Sequence, residues 1–154
     1  KIDHPGVYLP PPLFYVIIFL ISIYSQKALP LPTMFFETSV AFIAGILFVM
    51  SGLIVTLPAL IKFFRTKNTL IAIKPANTLQ TSGIYSVSRN PMYLGLLVLY
   101  TGIAFIQGNL WTLLFIPIVL WIVTKFIIVK EEKYLGRTFG SNYTAYCKKV
   151  RRWI

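Results

Sequence analysis

Charged residues are absent from three long stretches of this chain: Pro5 to Gln26, Thr38 to Ile61, and Asn90 to Thr124. All three are rich in Leu, Ile, Val and Phe, and a membrane-crossing helix needs about 20 mostly apolar residues. The first two stretches therefore predict one helix each. The third is too long for one crossing and carries Gln107-Gly108-Asn109 near its middle, a triplet suited to a tight turn. It predicts a helical hairpin. The expected spans are 12–28, 38–61, 91–106 and 110–129.

Composition strengthens this reading. Hydrophobic residues make up 56% of the 154 and charged residues 12%, with a mean hydropathy of +0.73. A soluble domain carries about twice that charged fraction. The pattern predicts an all-α integral membrane protein, one membrane domain over 1–154. The first span follows Pro10-Pro11-Pro12, lacks a strongly basic segment before it and leads to no small-residue cleavage site, so it is expected to be a retained helix.

The net charge of +11 is unevenly placed. Lys62, Arg65, Lys67, Lys74 and Arg89 lie between the second and third stretches. Lys125, Lys130, Lys133, Arg137, Lys148, Lys149, Arg151 and Arg152 lie in the tail. By the positive-inside rule the 62–90 loop and both termini are expected to be cytoplasmic. Basic residues flanking apolar spans orient a membrane protein and meet anionic headgroups, so no nucleic-acid partner is expected. Cys147 is the single cysteine and reads as a bystander thiol. His4 is the single histidine, which excludes a histidine metal cluster or a Ser-His triad within one chain.

Candidate chemistry gathers on one side. The 62–90 loop carries turn signals at Lys74-Pro75, Asn77 and Ser82-Gly83, and loops this long in compact proteins are usually functional or disordered. It runs into Ser88-Arg89-Asn90-Pro91-Met92-Tyr93-Leu94-Gly95. Asn90 suits a helix N-cap and Pro91 a first helical turn. A capped helix start does not account for Arg89, Tyr93 and Gly95 beside them. Glu131-Glu132, two of the four acids in the chain, stand together where the fourth span ends. Adjacent residues point about 100° apart on a helix, so the two carboxylates should serve different partners. Gly140 is expected to break the helix leaving this span. Ser141 should then cap a second short helix through about Lys148, with Lys148, Lys149, Arg151 and Arg152 toward headgroups.

Arg89-Asn90-Pro91-Met92-Tyr93-Leu94-Gly95, then Glu131-Glu132, then Phe139-Gly140-Ser141-Asn142-Tyr143-Thr144-Ala145-Tyr146 resemble the isoprenylcysteine carboxyl methyltransferase family and the related phospholipid methyltransferases. The resemblance covers about 69–152. It implies S-adenosyl-L-methionine as cofactor, in a pocket formed by the pre-hairpin loop, the hairpin helices and a folded-back tail. Arg89, Asn90, Tyr93, Gly95, Glu131, Glu132, Tyr143 and Tyr146 are the implied cofactor-binding residues. An acid would hold the cofactor's ammonium or a ribose hydroxyl, and Arg89 with loop N–H groups its carboxylate. Gly95 would admit a close helix backbone, and the tyrosines would flank adenine.

Two departures bear on the acceptor. Asn90 stands where the family often has His. The prenylcysteine enzymes also place an arginine about one turn before the acidic pair, associated with the acceptor carboxylate. Lys125 is the candidate substitute here, though an ammonium cannot form a bidentate clamp. The implied activity is methyl transfer to a lipid-like or hydrophobic acceptor reached from the membrane: a prenylcysteine carboxylate, a phospholipid amine or a small molecule. Two other classes compete. A membrane reductase using NADPH resembles this C-terminal half but is built on much longer chains. A non-catalytic four-helix protein or small transporter would be expected to carry a charge inside a span, and none lies within the core of these four.

Overall fold

The computed structural model describes residues 10–65 and 78–154, the side chains of 62–65 excepted. Lys74-Pro75, Asn77 and His4 therefore lie outside the described residues. The described chain is all helix and connection. Helix α1 covers Pro11–Ala28, α2 Ser39–Arg65 and α3 Pro91–Gln107. Two helices, Pro11–Ala28 and the Ser39–Ile61 part of α2, are long and apolar enough to cross a membrane. Much of their apolar surface faces outward. On α2, Val40, Ile43, Leu47, Met50, Ile54, Leu57 and Ile61 are exposed at alternating three- and four-residue spacing. That spacing makes one continuous stripe down the helix. In water such a stripe would have to be buried, whereas in lipid it is already solvated.

The opposite face of α2 packs along α3, and glycines set how closely. A Cβ on Gly52 would come within 2.8 Å of Leu99 N and 3.0 Å of Gly95 O. A Cβ on Gly102 would come within 2.7 Å of Val49 N and 2.8 Å of Gly45 O. Gly45 faces Gly102 and Gly52 faces Gly95, so the helices run antiparallel. The glycines on each helix repeat every two turns, keeping both pairs on one seam. Small residues at such a seam let backbones approach, which is how helices associate where lipid removes the hydrophobic drive.

Helix α1 lies against α3 and the segments after it. The Tyr15 hydroxyl donates to the Tyr93 carbonyl at 2.9 Å. Deeper along α1, the hydroxyls of Ser22 and Thr112 lie 2.7 Å apart. Asn109 Nδ2 reaches Ser22 Oγ at 3.4 Å, so a small buried polar cluster ties α1 to the turn after α3. That turn is built as expected: Gly108 ends α3 with φ 64°, and the Asn109 side chain accepts from Thr112 N at 3.3 Å.

The segment expected as a single helix over 110–129 is subdivided. Helix α4 covers Leu110–Leu114 and α5 Ile116–Ile122, separated at Phe115. Pro117 accounts for the joint, since it has no N–H for Leu113 O and its ring crowds that carbonyl. A wide π-type turn follows over Val123–Ile128, and α6 then covers Val129–Lys149. The backbone stays helical past residue 129. It breaks at Gly140, where φ is 50° and ψ −120°, values that favour glycine. The tail then folds back, placing Tyr143, Tyr146 and Val150 in a second apolar cluster with Leu79, Leu135 and Phe139.

Candidate functional site

The start of α3 and the last residues of the chain meet at one point. Pro91 occupies the first turn of α3 as expected, but the Asn90 side chain does not cap it. Asn90 Nδ2 instead donates to the Arg152 carbonyl at 2.9 Å. Ser88 Oγ donates to the same carbonyl at 3.4 Å, and Arg89 N donates to the Arg151 carbonyl at 3.0 Å. A cap was the local reading. The folded-back tail offers the Asn90 amide a carbonyl acceptor, whereas the first turn of α3 presents only N–H donors.

The charged groups follow the same geometry. Glu132 sits between two guanidiniums. Arg152 grips it with both ends of the fork, Nε to Oε1 at 3.0 Å and Nη2 to Oε2 at 2.7 Å. Arg89 Nη1 stands 3.3 Å from Oε1. Arg152 was expected to face headgroups, and this pair corrects that expectation. The tail turns inward after Lys149 because Val150 adopts extended backbone and is buried. Arg89 keeps one further donor: its Nε is buried and has no hydrogen-bond partner.

Glu131 has a different environment. Its Oε1 accepts from the Tyr93 hydroxyl at 2.8 Å. Burial pushes its carboxyl up to about 7, against the pull of the Tyr93 bond and with a further push from Glu132. Tyr85 is pushed up to about 12 by burial and then by Glu131 and Tyr146. The adjacent carboxylates thus divide as the helix angle requires. One is clamped by arginines, and the other is held by a phenol.

The tail aromatics complete the cluster. Tyr143 and Tyr146 have ring centroids 6.4 Å apart, and the Tyr146 hydroxyl donates to the Tyr85 carbonyl at 2.6 Å. Burial raises both phenols above their ordinary range, Tyr146 to about 12. Cys147, read from sequence as a bystander, lies against Arg89 Nη1 and beside Tyr143. Arg89, Asn90, Tyr93, Glu131, Glu132, Tyr143 and Tyr146 therefore come together from three separated segments. Two candidates stand apart. Gly95 faces α2, where a Cβ would meet Thr56 N at 2.9 Å and Gly52 O at 3.0 Å. Lys125 is exposed on the π-type turn.

Sequence reasoning missed Ser88, Tyr85, Tyr15 and Arg152. Serines and tyrosines at such positions carry no distinguishing signal. Arg152 was hidden by its place at the end of a basic run. The donor set suits a zwitterionic nucleoside carrying positive charge: a half-buried carboxylate with a phenol, a guanidinium with an unpaired buried N–H, and packed rings.

Comparison with known proteins identifies the family. The phospholipid methyltransferase family model matches residues 40–142, and the chain belongs to that family. A protein-S-isoprenylcysteine O-methyltransferase of Schizosaccharomyces pombe is 39% identical over 72 residues, which are 47% of this chain and 30% of that protein. Protein-S-isoprenylcysteine O-methyltransferase B of Arabidopsis thaliana is 30% identical over 108 residues, 69% of this chain and 55% of that protein. An uncharacterized protein of Haemophilus influenzae is 38% identical over 63 residues, 41% of this chain and 100% of that protein. The aligned parts thus cover 30% and 55% of the two methyltransferases' lengths. No solved structure matches. Family membership implies S-adenosylmethionine as the methyl donor.

Proposed function

We propose that this protein is an S-adenosylmethionine-dependent methyltransferase acting on a lipid-like or hydrophobic acceptor at the cytoplasmic face of a membrane. The observation that carries the reading is the convergence of Arg89, Asn90, Tyr93, Glu131, Tyr143 and Tyr146 at one end of α3, beside two membrane-length helices. Four spans, with both termini and the 62–90 loop cytoplasmic, put this cluster at the basic, cytoplasmic end of the bundle.

When bound, S-adenosylmethionine supplies an electrophilic methyl group on a sulfonium sulfur. The chain's residues bind and orient. Glu131, fixed by the Tyr93 hydroxyl, holds the ammonium or a ribose hydroxyl, and its ionised form is the one that attracts positive charge. Arg89, whose buried Nε has no partner, would hold the carboxylate. Glu132 pairs with Arg89, and Tyr143 and Tyr146 would flank the adenine. The folded-back tail would shield the reacting atoms from water. Displacement at a methyl carbon needs no proton relay on the donor side, so orientation supplies most of the rate. The acceptor enters from the lipid side as a prenylcysteine carboxylate, a phospholipid amine or a small hydrophobic molecule.

Thermal unfolding in detergent tests this reading. S-adenosylmethionine and S-adenosylhomocysteine should each raise the midpoint, since ligand at a hundred times its Kd adds about 2.7 kcal/mol. NADPH should leave it unchanged. A rise with NADPH alone would favour a reductase, and no rise with any of the three would favour a non-catalytic membrane protein.

A further inference from the structure

The last residues of the chain form a strap that joins two parts of the site, and one residue makes both connections. The carbonyl of Arg152 accepts from Asn90 Nδ2 at 2.9 Å and Ser88 Oγ at 3.4 Å, on the loop before α3. Its guanidinium holds Glu132 on α6 through two bonds of 3.0 and 2.7 Å. Trp153, the next residue, packs against the main core, and Val150 is buried in the second cluster. The strap is therefore seated on both sides of Arg152.

This arrangement separates the roles of the acidic pair. Both oxygens of Glu132 are engaged by Arg152, and Oε1 also faces Arg89 Nη1 at 3.3 Å. A planar fork on a carboxylate fixes direction as well as distance, which an ammonium cannot do. We propose that Arg152 is a positioning residue of the cofactor site, acting through Glu132 on Arg89, and that Glu132 is the latch of the strap rather than a cofactor ligand. This rests on the methyltransferase reading above. With Arg152 in place, Glu132 presents only one shared oxygen to Arg89, which leaves the buried Nε of Arg89 free. Without Arg152, both oxygens of Glu132 become available to Arg89. The guanidinium then rotates to a two-point pair with Glu132, and its donors leave the cofactor.

A double-mutant cycle on the full chain in detergent tests the proposal, with S-adenosylhomocysteine affinity measured by calorimetry. Arg152→Gln should weaken binding about tenfold, because Glu132 then draws Arg89 away. Glu132→Gln should also weaken it about tenfold, because Arg89 loses the partner that fixes it. Each loss amounts to one charged hydrogen bond from Arg89 to the ligand. Residues acting through one another are not additive, so the double variant should also lose only about tenfold. Arg152→Lys should fall between Arg152→Gln and the wild type, because it keeps the charge and loses the fork. Wild-type affinity in Arg152→Gln would overturn the proposal, even if that variant melted at a lower temperature. Losses that multiply to about a hundredfold would overturn it too, since Arg152 would then act independently of Glu132. Those two results leave the cofactor reading intact. Failure of the wild type to bind would overturn both.

Discussion

The seam between α2 and α3 and the junction of loop, α6 and strap are held by opposite means. The seam closes on Gly45, Gly52, Gly95 and Gly102, with backbone against backbone. The junction closes on Arg89, Glu132, Arg152, Tyr93 and Glu131, with named donors on named acceptors. The first contact tests volume and is indifferent to charge. The second tests charge and hydrogen-bond geometry. Lipid explains the division: apolar side chains gain little by leaving lipid for one another, so the seam relies on close packing. At the junction the groups leave water, and all but the Arg89 Nε recover hydrogen bonds within the protein.

The largest effect should come from adding volume to the seam. A Cβ on Gly52 would already meet backbone atoms of α3 at 2.8 and 3.0 Å, and neither can move without its helix. Gly52→Val should cost about 3 kcal/mol, the upper end for overpacking. The check is the unfolding midpoint in detergent without ligand. An unchanged midpoint would mean that α2 and α3 are not held by this seam.

Next in size is the junction's half-buried acid. Glu131→Gln should weaken S-adenosylhomocysteine binding by about tenfold to a hundredfold, the value of a charged hydrogen bond of about 1.5–3 kcal/mol. Its pH dependence sharpens the comparison, because binding and stability should move in opposite directions. The Glu131 carboxyl stands at about 7 in the folded protein, raised from an ordinary 4.5. Its contribution to stability is fully present below about 4.5 and is lost as pH rises through 7. Holding the ligand's ammonium needs the ionised acid, so wild-type affinity should rise from pH 6 to pH 8. Glu131→Gln should flatten both profiles and be the more stable protein at pH 8 without ligand. Parallel pH profiles for the two proteins would remove Glu131 from the site.

The two regions also differed in how far the sequence disclosed them. Charge-free stretches located α1, α2 and α3, while Pro91, Gly108 and Gly140 marked a helix start, a turn and a kink by their own backbone preferences. Those are local signals. The motif around Arg89, the acidic pair and the tail tyrosines could be picked out because their order and spacing resemble those of a known family. What stayed hidden depended on the fold. Gly95 was expected to admit a close helix backbone and does, but that the helix is α2, at Gly52 and Thr56, followed only from the antiparallel register. The kink at Gly140 and a folded-back tail were expected, but which tail residue would reach Glu132 depended on how the returning backbone is seated, and no local pattern encodes that.

The smallest effect should be at Lys125, which tests whether the charge-sensitive junction extends toward the lipid-facing side. Lys125 lies on the π-type turn over Val123–Ile128 and is exposed, while its neighbours Ile127 and Ile128 are fully buried. Its long apolar stem can run along the helix while the ammonium reaches the headgroup layer. Lys125→Ala should therefore change stability by less than about 0.5 kcal/mol, as for other surface substitutions. S-adenosylhomocysteine affinity should stay within about twofold of the wild type, because an exposed charge contributes little to a site it does not touch. Turnover is the discriminating readout. If the acceptor carries a carboxylate and Lys125 holds it, the substitution should raise KM for that acceptor and leave cofactor affinity alone. Equal KM values for carboxylate and amine acceptors in wild type and variant would confine the polar chemistry to the junction, with Lys125 serving only to anchor its helix at the membrane surface.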